Sequence, residues 1–268
     1  MGSSWALVTG ASDGIGEEFC RELGRRGYNL ILVARREGKL REVANELVDA
    51  HGIDARVVPC DLAAPRAAHS LYNDVRALCA EVGADVDVLV NNAGLLYNGY
   101  FDEIALAKQE DLLAVNVVAL TALTHLIAND MLARGRGRIL NVASTAAWVA
   151  LPQQNVYSAS KAYVLSFTLA LANELKSKNR GVTATALCPG YTATKMLDNP
   201  EQGPKLSIPS AMVLPPDVVA REGITACLRG APIVTPGLSN RIGMGLVQLA
   251  PRRWATAALG WAYRRGQS

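Results

Sequence analysis

WALVTGASDGIG, residues 5–16, opens with an apolar, partly β-branched run, WALVT (5–9), and continues into a loop with Gly10, Gly14 and Gly16. The run suits a buried strand, and Glu17–Arg26 continues with helix-forming residues. Glycines between the two let the backbone turn tightly and approach a ligand closely. The first N–H groups of the new helix then point at whatever anion sits there. A tight turn without a ligand would use the same glycines, so the surrounding chain has to decide between the two readings.

That chain repeats the same unit. Further apolar runs stand at NLILVA (29–34), ARVVPC (55–60), VDVLVN (86–91), RILNVAS (138–144), VTATALCP (182–189) and APIVT (231–235). They show no clear period of two, as expected of strands covered on both faces. Helical segments separate them, among them Gly38–His51, Pro65–Val82 and Lys108–Arg134. Alternation of this kind predicts right-handed crossovers and an α/β fold: a Rossmann-like, doubly wound parallel sheet of about seven strands. In that setting the glycine turn between the first strand and first helix is a dinucleotide pyrophosphate site. No repeat or low-complexity linker interrupts the pattern, and residues 1–268 are expected to form one domain.

Composition narrows the possibilities. Half of the 268 residues are hydrophobic and 19% are charged, which describes a folded globular chain. A net charge of +3 is too balanced to point to nucleic acid. The five cysteines (20, 60, 79, 188 and 227) are scattered, and His51, His69 and His125 lack metal-ligand spacing, so no disulfide framework or metal site is expected. The first strand begins too early for a signal peptide, and no stretch approaches the roughly 20 uninterrupted apolar residues that span a bilayer. A cytoplasmic location is the expectation.

The end of the second strand bears on cofactor choice. NAD sites usually carry an acidic residue there for the ribose 2′-hydroxyl, whereas NADP sites carry arginine. Here Ala34 is followed by Arg35 and Arg36, with no carboxylate before Glu37. A guanidinium fork matches phosphate oxygens, so Arg35, with Ser12 adding a hydroxyl, predicts NADP(H).

NVYSASKAYVLSF, residues 155–167, holds Lys161 on a helix that is otherwise small or apolar. A buried ammonium needs a partner. Tyr157 stands four residues earlier on the same face. A cation nearby favours the phenolate, so Lys161 is expected to lower the pKa of Tyr157 towards useful acid–base range.

With these segments in place, the chain resembles the short-chain dehydrogenase/reductase family over nearly its full length. The loop matches T-G-x-x-x-G-x-G (Thr9–Gly16, including Ile15), Asn91-Asn92-Ala93-Gly94 matches N-N-A-G, and Pro189-Gly190-Tyr191-Thr192-Ala193-Thr194 matches P-G-x-x-x-T. The resemblance implies a catalytic tetrad of Asn116, Ser144, Tyr157 and Lys161. It also implies adenine contacts from Asp61 and Leu62, adenosine contacts from Asn92, Ala93 and Gly94, and a nicotinamide cradle from Pro189, Gly190, Thr192 and Thr194. Asp13 departs from the pattern: NADP-dependent relatives often carry a basic residue there, and a carboxylate would repel a 2′-phosphate.

Leu95, Tyr97, Ala146, Trp148, Val149, Tyr191, Met196, Leu197 and Met212 are the expected pocket lining. It is apolar, with no arginine clamp for a carboxylate or phosphate, and implies a hydrophobic ketone or aldehyde or the matching alcohol. A non-catalytic NADP sensor or scaffold is the alternative. Residues 190–216, with a Pro-rich run, are expected to form a substrate lid. Residues 237–268 extend the fold with short helices around Leu246–Ala250 and Trp254–Tyr263. Packing over the pocket or on a neighbouring subunit is preferred there to a membrane-surface helix flanked by Arg252-Arg253 and Arg264-Arg265. A homodimer or homotetramer is implied by the resemblance alone.

Overall fold

The computed structural model describes residues 4–195, 213–249 and Thr256. Seven parallel strands form one sheet in the order β3-β2-β1-β4-β5-β6-β7. They are β1 (Trp5–Thr9), β2 (Asn29–Ala34), β3 (Ala55–Pro59), β4 (Val86–Asn91), β5 (Gly137–Val142), β6 (Val182–Leu187) and β7 (Ile233–Val234). The first, second and fourth match the predicted ranges. The last keeps only two of five residues because it pairs with β6 over Ala186 and Leu187 alone. Pro59 is tolerated in β3 because that strand is at the sheet edge.

Successive residues leave each strand on opposite faces, and both faces are apolar. Leu7, Ile31, Leu89 and Ile139 enter one core with α3 (Ala67–Val82) and α5 (Leu120–Arg134). Ala6, Val8, Leu30, Leu32, Val88, Val90 and Leu140 enter the other with α1 (Gly14–Arg25), α2 (Glu37–His51) and α7 (Pro216–Leu228). Burial on both sides is why the strands read as continuous hydrophobic runs.

The expected helix Lys108–Arg134 is three pieces end to end: α4 (Leu106–Leu113), a π-helical turn (Ala114–Ala119) and α5. Together, Leu106–Arg134 is long and apolar enough by length and composition to cross a membrane, which the search for uninterrupted apolar runs misses. Half of its most apolar 18-residue window is buried within the protein, where α5 packs on α3, β4 and β5. Among the described residues the remaining α-helices of more than one turn are α6 (Asn155–Lys178) and α8 (Leu238–Leu249).

Candidate active site

Every predicted motif falls at the C-terminal end of a strand or on a helix packed beside it, where open α/β sheets bind ligands. A cleft of about 640 Å³ opens there. Its walls include Gly10, Ser12, Asp13, Gly14, Ile15 and Gly16 after β1, and Arg35 and Arg36 after β2. Asp61 and Leu62 follow from β3, Asn92, Ala93 and Gly94 from β4, and Thr194 from the loop after β6. Fourteen residues expected at the cofactor, from five strand ends, thus border one cleft.

 Cys60 and Leu95 line the cleft as well, neither of them expected as a cofactor contact. Val33, Ala34, Val115 and Lys195 also line the cleft without having been anticipated there.

The glycine loop is built for close approach. Gly14 has φ 56°, and a Cβ there would stand 2.9 Å from the Thr194 methyl. A Cβ on Gly16 would overlap the Gly10 carbonyl oxygen. Asn92 braces the loop from behind, its Nδ2 donating to the carbonyls of Thr9 (3.0 Å) and Gly10 (3.3 Å). Asp13 is the N-cap of α1, yet its side chain caps no helix N–H. The cleft, the side-chain-free loop and the uncapped helix start fit a dinucleotide pyrophosphate.

Lys161 is buried and its ammonium donates to the Val142 carbonyl at 2.8 Å. Asn116 sits in the π-helical turn, with Oδ1 accepting from Leu95 N (2.8 Å) and Nδ2 donating to Leu95 O (2.9 Å). A Cβ on Gly94 would lie 3.3 Å from Asn116 Oδ1 and 3.5 Å from Lys161 Nζ, so these three residues meet at one point. Ser144 follows β5, and its Oγ accepts from Ala146 N at 3.1 Å. Tyr157 packs against the Ala146–Leu151 pair, as does Val149.

One expectation is corrected here. Tyr157 was to be made more acidic by Lys161, but burial pushes the phenol above its usual value, and the neighbour that offsets this is the Ser144 hydroxyl. Lys161 Nζ stands 5.8 Å from the ring centroid and is turned to Val142. Burial also pulls the Lys161 ammonium down to about 8. Near neutral pH the phenol therefore carries its proton, the form that donates.

Other predicted residues separate. Thr192 bonds to the Gly190 carbonyl and bridges to Leu214, so it shapes the loop after β6. A Cβ on Gly190 would meet the Asn240 side chain of α8, and α8 also packs on the turn Thr145–Trp148. Pro189 O accepts from Thr145 N at 2.8 Å. Trp148 packs against the Ala143, Val164, Leu165 and Cys188 cluster, not with the apolar group around Tyr157. Tyr97 lies under the Lys108 ammonium, 5.4 Å from its ring centroid, and Tyr191 is half-buried. Met196, Leu197 and Met212, most of the expected lid and the segment Trp254–Tyr263 apart from Thr256 lie outside the described residues.

A family profile for short chain dehydrogenases matches residues 4–205. The chain belongs to the short-chain dehydrogenase/reductase family of oxidoreductases. It is 36% identical over 225 residues to a very-long-chain 3-oxoacyl-CoA reductase of Anas platyrhynchos, covering 82% of this chain and 68% of that protein. It is 36% identical over 194 residues to the human inactive hydroxysteroid dehydrogenase-like protein 1, covering 72% of this chain but 57% of the relative. A short-chain dehydrogenase from Sphingobium yanoikuyae, solved in complex with NADPH, superposes with a TM-score of 0.79 at 27% identity, covering 93% of this chain and 97% of that one.

Proposed function

We propose that the protein is an NADP(H)-dependent reductase of hydrophobic ketones or aldehydes, running in reverse on the matching alcohols. The observation that carries this is the convergence of Ser144, Tyr157 and Lys161 beside a cleft whose glycine loop fits a dinucleotide. When bound, the dinucleotide supplies or accepts the hydride. The glycine loop and the start of α1 hold its pyrophosphate, Arg35 and Arg36 its 2′-phosphate, and Asp61 and Leu62 its adenine end. Ser144 and Tyr157 hold the substrate oxygen, and Tyr157 gives it a proton as negative charge develops there. Lys161 keeps a positive charge beside the phenol, and Asn116 fixes the backbone next to it.

Ala146, Val149 and Leu151 around the Tyr157 ring make the reacting end of the pocket apolar. The duck relative's name supports testing long-chain 3-oxoacyl thioesters first among hydrophobic carbonyls. The human relative is named inactive, which supports the part of the rival reading that denies turnover. The complete Asn–Ser–Tyr–Lys set in this chain favours the enzyme.

The test is NADPH and NADH consumption by the wild type and Arg35→Ala across 3-oxoacyl thioesters and lipophilic ketones and aldehydes. Arg35 lies exposed at the end of β2 on the cleft wall, where its loss removes a charge-assisted contact to phosphate. The variant should weaken NADPH about tenfold or more and change NADH by less than about twofold. Equal losses for both dinucleotides would undo the NADP assignment. Binding of NADPH without consumption on any carbonyl would favour the sensor.

A further inference from the structure

Asp13, Arg36 and Lys195 come from the ends of three different strands and meet at the mouth of the cleft. The Asp13 carboxylate lies 3.2 Å from the Arg36 guanidinium and 3.3 Å from the Lys195 ammonium. Arg36 donates in addition to Ser12 Oγ at 3.1 Å. Lys195 is carried across by the loop after β6. That loop is tied at its base by Leu214 N to Tyr191 O (2.9 Å) and Ala193 N to Leu214 O (3.0 Å). Thr194 rests on Gly14 beside it.

Two physical features make this cluster an exchange site. First, three cations, Arg35, Arg36 and Lys195, line the same cleft as the carboxylates of Asp13 and Asp61, and two of them, Arg36 and Lys195, are turned to Asp13. Second, the Arg36 and Lys195 side chains are 53% and 76% exposed, and ion pairs so placed are individually weak. Asp13 also leaves α1 uncapped, although as the N-cap residue it is well placed to bond a helix N–H.

We infer that Asp13 is an internal stand-in for the 2′-phosphate, holding Arg36 and Lys195 in the free protein and competing with NADP(H) for them. Lys195 is then a specificity-determining residue, and the margin of NADP(H) over NAD(H) is set by this competition. The departure from the family pattern at residue 13 lowers affinity without reversing preference. The inference rests on the reading of the cleft as a dinucleotide site.

The experiment titrates NADPH and NADH against the wild type, Asp13→Asn and Lys195→Met by protein fluorescence, with no substrate present. Asp13→Asn should tighten NADPH about tenfold and move NADH by less than about twofold, as when the two weak ion pairs of one half-buried carboxylate together stop competing. Lys195→Met should weaken NADPH about threefold and leave NADH near its original value. Unfolding temperatures of both variants close to the wild type's would place the changes at the site. If Asp13→Asn weakens NADPH, or shifts both dinucleotides alike, the competition does not exist. If the wild type binds neither dinucleotide, the reading of the cleft falls, and this inference with it.

Discussion

Tyr157→Phe lowers the rate of carbonyl reduction about 10³-fold while NADPH affinity stays within about twofold of the wild type. The substitution removes one hydroxyl and keeps the ring that packs against Ala146 and Leu151. The fold should therefore tolerate it, because burial already disfavours the charged form of this phenol and no packing volume is lost. Neighbouring groups are poorly placed to take over proton delivery. Lys161 is committed to the Val142 carbonyl, and Ser144 accepts from Ala146 N and approaches the Pro189 carbonyl at 3.5 Å. Steady-state rates with the best carbonyl, read beside NADPH titrations, check the split. A variant that keeps its rate would remove Tyr157 from the chemistry.

Gly16→Ala should abolish dinucleotide binding in the measurable range and cost about 1–3 kcal/mol of stability. A Cβ at this position overlaps backbone, the Gly10 carbonyl, and also reaches the Asn92 amide that braces the loop. Neither is the free end of a flexible side chain, so α1 must move off the loop. The control is Gly38→Ala in α2, where a Cβ meets nothing within 4 Å. There alanine should leave stability unchanged or raise it by up to about 1 kcal/mol through helix propensity. Thermal unfolding and NADPH titration of both variants separate crowding at one glycine from a general intolerance of glycine loss. Equal behaviour of the two would mean that the loop does not depend on close approach.

What was legible in the sequence was local. The glycine turn, the second-strand arginines and the Tyr157–Lys161 spacing each lie within a few residues, and both cores follow from strands apolar on every side. What stayed hidden depends on contacts between distant segments. Lys195 is far along the chain from Asp13, and only the path of the loop after β6 joins them. The π-helical turn that carries Asn116 leaves the apolar pattern of its helix intact, so periodicity alone reads straight through it. The acidity of Tyr157 was misjudged because helical spacing fixes which face two side chains share, not which backbone carbonyl captures the ammonium. Trp148, placed in the pocket from its position after β5, packs on the cluster beside β6, a contact that its place in the sequence does not reveal.

The most direct measurement follows a deuterium placed on the transferable position of NADPH through one turnover with the best hydrophobic carbonyl. Reduction at the Ser144–Tyr157–Lys161 site requires the label to appear on the carbinol carbon of the alcohol, from wild type and, far more slowly, from Tyr157→Phe. Alcohol formed without the label, or NADPH bound with its label retained against every carbonyl offered, would contradict it.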